Sequence, residues 1–128
     1  MNSARKLGPW GLLGMLLMPS ALLAHHGNAA YDTTKEVTVK GTVTELVLAN
    51  PHSFIKFDVK DQSGNVVHWT VESSAASVNL PKYHLTKDSL KPGDPITITM
   101  IVAKNGKPFG RIHKLVLPDG SVMETDLP

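Results

Sequence analysis

A chain of 128 residues without cysteine excludes disulfides, thiolate catalysis, a cysteine lipid anchor and cysteine-ligated zinc. Its formal charge of +2 comes from the N-terminal segment, because removing Arg5 and Lys6 leaves as many basic as acidic side chains. No basic field then remains to hold nucleic acid or an anionic membrane, so no nucleic-acid partner is expected.

Arg5 and Lys6 precede the apolar run Trp10–Met18, Pro19 and Ser20 break it, and "ALLA" ends on the small residue Ala24. Basic, apolar and small in that order is a secretory signal peptide. Gly11, Gly14 and Pro19 interrupt the run, which falls short of the ~20 apolar residues of a membrane span. Residues 1–24 are expected to be removed, which leaves a periplasmic protein that begins His25-His26-Gly27 and has no transmembrane anchor. All six histidines stay with it.

Residues 25–36 are polar and without period and read as an N-terminal arm. The domain is expected over 37–128. "VTVKGTVTELVL" alternates with period two, placing Val37, Val39, Val43 and Val47 on one face, and Gly41 on that face suggests a bend or bulge. "ANPHS" is a turn. "FIKFDVK" and "VVHWTVE" are strands joined through Gln62-Ser63-Gly64, with Gly64 at the position that needs positive φ. That loop pairs Asp61 with Asn65, Val59 with Val67, Phe57 with Trp69 and Ile55 with Val71, and sets Asp58 opposite His68. Trp69 is expected inside.

"SSAASVNL" carries helix formers and serine caps, and Pro81 is expected to end it. Thr86 and Ser89 suit one further turn before Pro92-Gly93. "PITITMIVA" and "RIHKLVL" are strands, and "PDG" returns the chain so that Lys114 lies opposite Glu124. Three strands, a short helix, two strands and a terminal strand give an all-β fold with one short helix, a small five- to six-stranded OB-fold-like β-barrel.

"AHHG", "GTVT", "NPH", "LKPGD" and "LPDG" occur together along the chain. This set resembles an uncharacterised family of short secreted proteins from Gram-negative bacteria, known as a domain of unknown function. The resemblance implies a periplasmic small β-barrel and supplies no catalytic residues. Where that family often shows an aromatic after the histidine pair and a Trp after "NPH", this chain has Gly27-Asn28-Ala29 and Phe54.

The serines lie in turn or cap contexts, the carboxylates on polar strand faces and in turns, and no glycine-rich loop precedes a helix. The histidines are the concentrated signal. With a free amine, His25 chelates through that amine and its ring; His26 chelates through amine, amide and ring. Both arrangements favour Cu(II), which accepts tetragonal nitrogen ligation. A third nitrogen is expected from His52, held in its turn by Pro51 at a barrel end. His68 reads as a surface partner of Asp58, His84 as a turn cap and His113 as a half-buried packing residue beside Leu115. The expected function is non-enzymatic copper binding through His25, His26 and His52. A binding module for a small ligand or an envelope protein partner, with incidental histidines, stays open beside it, as does a copper-dependent oxidative enzyme using the same ligands.

Overall fold

Two hairpins build the sheet from local signals. In a computed structural model that describes residues 28–125, the strands are β1 (Tyr31–Val47), β2 (Ser53–Lys60), β3 (Val66–Ser73), β4 (Pro95–Ala103), β5 (Phe109–Val116) and β6 (Val122–Glu124); a 3-10 turn at Asn28–Ala30 leads into β1, and the one α-helix among these residues, α1, is Ala76–Tyr83. Residues 1–24, read above as a signal peptide to be removed, lie outside the described residues, as do His25 and His26. Asp61 N donates to Asn65 O at 2.8 Å and Gly64 has φ 83°. The β2–β3 register follows: Val59 meets Val67, Phe57 meets Trp69 and Asp58 meets His68, as expected. The β5–β6 turn likewise sets Lys114 opposite Glu124.

Both turns are tied by an aspartate that accepts backbone N–H groups. Asp61 Oδ1 accepts from Ser63 N and Asn65 N, each at 2.8 Å, and Asp119 Oδ1 from Ser121 N at 2.8 Å and Ser121 Oγ at 2.6 Å. The backbone and side-chain bonds from Asn65 hold the Asp61 carboxyl below its ordinary value; the side-chain and backbone bonds from Ser121 do the same for Asp119. A folded value below the unfolded one means stabilisation that is complete above the unfolded value, ~3.9, and lost as pH falls through the folded value. Urea midpoints should therefore hold steady from pH 6 to about pH 4 and then decline. Asp61→Asn should flatten part of that decline, and an undiminished slope in this variant would contradict the account.

The sheet runs β3-β2-β1-β4-β5-β6, and a parallel pairing of β3 with β5 closes the first five strands into a ring. This is the small OB-fold-like all-β architecture, with α1 between the third and fourth strands. Buried Val43, Ile55, Phe57, Val71, Ile98 and Leu115 fill it, joined by Leu85 and Leu90 from the α1–β4 connection.

Four details depart from the alternation. β1 begins at Tyr31, not Val37, so half of the expected arm belongs to the strand; Tyr31 pairs with Ala103, and residues 32–35 bow out before Glu36 pairs with Ile101. The bulge in β1 falls at Thr44, not at Gly41, and transfers the inward face from Val43 to Leu46. Val47 thereby leaves the expected face. A second bulge, at His113, separates it from the Leu115 face. Finally, α1 continues through Pro81 and ends where His84 adopts φ 54°. Its N-cap is Ala75 and not a serine; Asn50 Oδ1 instead accepts from Ser77 N at 3.3 Å. The helix is held to β3 by buried Asn79, whose Nδ2 donates to Ser74 O at 2.7 Å and whose Oδ1 accepts from Ser73 Oγ at 3.2 Å.

Trp69 packs on Phe57, rings nearly parallel with centroids 6.4 Å apart, but is only half-buried. Its half of β3 lacks a second neighbour, because β5 pairs only with Thr70–Glu72.

Candidate functional site

Period two places the neighbours of buried Ile55, Val71 and Ile112 on the outer face of the ring. Phe54, Glu72 and Arg111 form one row across β2, β3 and β5. Thr70 and Phe109 belong to the next row. The start of β1 reaches this face from the side. Tyr31 is buried, stacks on Phe109 with centroids 6.2 Å apart, and donates from Oη to Glu72 Oε2 at 2.7 Å. Phe54 tilts against Phe109 at 6.5 Å. Burial and the bonded Glu72 carboxylate raise the Tyr31 phenol far above its ordinary pKa, so it is a hydrogen-bond donor throughout the usual pH range.

His52 stands at the same place. The Asn50–Pro51 peptide is cis, and His52 immediately precedes β2. Its Nδ1 lies 3.0 Å from Glu72 Oε1, and Arg111 Nη2 lies 4.0 Å from that oxygen. Nδ1 is buried and at bonding distance, but its direction misses the carboxylate, which leaves it without a hydrogen bond. The site is thus one carboxylate, 16 % exposed, facing Tyr31 through one oxygen and His52 and Arg111 through the other.

The remaining histidines are elsewhere. His68 Nδ1 meets Asp58 at 2.6 Å on the β2–β3 hairpin and is 80 % exposed. His113 has Nδ1 2.6 Å from Glu36 and Nε2 3.8 Å from Glu124, so both ring nitrogens face carboxylates. Nothing in the described residues tests His25 and His26. Among those residues no three His, Asp or Glu side chains gather as a metal site, so His52 with Glu72 would need ligands from outside them. Sequence reasoning found His52 and missed Glu72, Tyr31 and Arg111. Glu72 lies on a polar strand face, and nothing in its neighbours marks it as different from a solvated surface group.

A cavity of about 610 Å³ lies between the 84–94 connection and the β5–β6 turn, lined by His84, Asp88, Asp94 and Asp119 among others. It shares no residue with the His52 cluster. Two of its carboxylates are committed to their own turns: Asp94 accepts from Lys91 N at 2.8 Å and Asp119 from Ser121. Chemistry therefore favours the His52 cluster over the larger space. No helix among the described residues is long and apolar enough to cross a membrane.

The model of a family of unknown function, DUF6152, matches residues 15–112. No curated protein shows significant similarity to the chain. Among solved structures, the chain is similar to the mitochondrial single-stranded DNA-binding protein Rim1 of S. cerevisiae, at 10 % identity and a TM-score of 0.44, over 72 % of this chain and 97 % of that one. A likeness this distant bears on neither ligand nor mechanism.

Proposed function

The chain belongs to the family of unknown function DUF6152, and from its own residues we propose that it is an exported, non-enzymatic protein that binds one Cu(II) through His25, His26 and His52. The observation that carries this reading is the link from Tyr31 to Glu72 to His52, which brings the root of the N-terminal segment beside the one body histidine expected to serve it. His25 and His26 precede Tyr31 by six and five residues; with Asn28–Ala30 in a 3-10 turn, the reach is up to about 16 Å. His52 is within that compass. His68 lies four positions before Glu72 along β3, about 13 Å farther down the barrel wall.

Removal of residues 1–24 supplies the free amine, and the His25 or His26 chelate supplies the first nitrogens. The folded domain adds imidazole from His52. One Cu(II) should therefore bind the processed protein at least about tenfold, or ~1.4 kcal/mol, more tightly than it binds the peptide His25-His26-Gly27-Asn28. His52→Ala should reduce affinity to that of the peptide and remove one nitrogen coupling from the EPR spectrum, whereas His68→Ala should leave both intact. Intact mass should show a start at His25. Equal affinity of protein and peptide would sink the specific site.

Equal affinity would favour a second reading, which rests on the half-buried Phe54 and Phe109 beside Arg111. They stand on the barrel wall that OB-folds use for ligands. The chain would then be a binding module for a small ligand or partner.

A further inference from the structure

We infer that Glu72 is the positioning residue of the His52 site: it fixes the proton of the neutral ring on Nδ1 and thereby presents the Nε2 lone pair outward. The inference concerns the ligand that the copper reading uses, and so rests on that reading for its purpose but not for its test.

An ionised carboxylate has only acceptors to offer. Glu72 Oε2 already accepts from Tyr31 Oη at 2.7 Å, and Oε1 faces His52 Nδ1 at 3.0 Å. A lone pair on Nδ1 would set acceptor against acceptor in a buried place. An N–H there is attractive and supplies the missing bond. The tautomer follows from that asymmetry, since satisfying a buried polar atom is worth more than the small intrinsic difference between the two neutral forms. The N–H direction at present misses the oxygen. The terminal torsion of a histidine is broad, so a modest turn of the ring completes the bond at little cost.

Exposure identifies the outward nitrogen. The His52 side chain is 38 % exposed while its Nδ1 is buried. The accessible edge is therefore the one that carries Nε2. A histidine with one nitrogen set against a carboxylate and the other open is the arrangement that, once the bond is made, orients metal-bound imidazoles.

His68 and His113 also set Nδ1 against a carboxylate, each at 2.6 Å, but neither combines a buried Nδ1 with an open second nitrogen. His113 has its second nitrogen facing Glu124, and His68 hangs in solvent on a carboxylate that is itself 33 % exposed. Glu72 is held from the far side by Tyr31, which stands at the root of the segment bearing His25 and His26. One carboxylate thus joins the origin of the arm to the ring it is proposed to meet. With one oxygen on Tyr31 and the other toward His52 and Arg111, Glu72 acts through His52 and is not itself a ligand.

Long-range proton–nitrogen NMR of the processed protein, without metal and at a pH where the ring is neutral, reads the tautomer directly. His52 should be protonated at Nδ1. Glu72→Gln, with folding confirmed by circular dichroism, should shift the ring toward the Nε2–H form and lower Cu(II) affinity by up to the factor, about tenfold, that His52→Ala removes. Tyr31→Phe, which keeps the carboxylate but releases one oxygen, should move both readouts in the same direction by less. An Nε2–H ring in the wild-type protein, or a tautomer unmoved by Glu72→Gln, overturns the proposal. If Glu72→Gln does not fold, the wild-type tautomer and the Tyr31→Phe response still decide it. A Glu72-dependent Nδ1–H ring in a protein that binds copper no better than the peptide would leave the positioning role standing and remove the copper reading.

Discussion

Phe57→Ala should destabilise the domain by about 3–5 kcal/mol, enough to unfold much of a protein whose whole stability is on the order of 5–15 kcal/mol. Phe57 is 1 % exposed and packs against Trp69 on one side and the backbone of β1 at Gly41 on the other. Truncation removes the transfer energy of the ring and leaves a space that a closed ring of strands cannot collapse to fill. Trp69→Ala should cost clearly less, despite the larger side chain, because that part of β3 is open to solvent on one edge and Trp69 is only half-buried. Urea unfolding of both variants orders them. A Trp69→Ala cost equal to or above that of Phe57→Ala would show that burial in this ring does not set the energetics.

Gly41→Ala is expected to be destabilising by about 1–3 kcal/mol through overpacking. A Cβ on Gly41 would stand 2.7 Å from Phe57 Cδ2 and 2.8 Å from Asp58 O. The loss of a glycine's freedom in the unfolded chain would by itself favour alanine by ~0.4–1 kcal/mol. Steric cost wins because one of the two close atoms is backbone, fixed by the Thr42–Asp58 pairing of β1 and β2, and cannot rotate away. The two substitutions share a contact and should not add. In the Phe57→Ala background the ring is gone, so Gly41→Ala should cost less, yet it should still cost something because Asp58 O remains. A stabilised Gly41→Ala protein would contradict the close approach.

The glycine shows how far pattern reading goes. A glycine on the apolar face of a long strand signalled that the backbone does something unusual there, and the closeness of β2 is that feature. The bulge itself lies three positions on, at Thr44, where the connection to β4 binds the strand: Val43 N donates to Asp94 O at 2.9 Å and Gly93 N to Val43 O at 2.8 Å. Threonine gives no sign of this, because the cause is a loop fifty residues away. Pro81 misled for a related reason. A proline inside a helix costs one backbone bond and crowds the preceding turn, but α1 is anchored by Asn79 to the end of β3, and that tertiary anchor outweighs the local preference.

Local order along the chain was enough for everything a turn can dictate to its immediate neighbours. Gly64 and Gly120 fixed two hairpins, and period two then fixed every pair in β2–β3 and the Lys114–Glu124 pair. The order of strands and helix sufficed for the OB-like architecture, and the Asn-Pro-His turn sufficed to single out His52. Long-range packing set the rest: the parallel closure of β3 on β5, the early start of β1 at Tyr31, the two bulges that moved Val47 and His113 off their expected faces, and the gathering of Tyr31, His52, Glu72 and Arg111. Those four residues come from the start of β1, the turn before β2, the end of β3 and the middle of β5. Glu72 and Arg111 follow the period of their strands, whereas Tyr31 and His52 lie outside any periodic run. What makes them a site is ring closure, which no local interaction encodes, since the energy that holds it is summed over a core whose members are far apart along the chain.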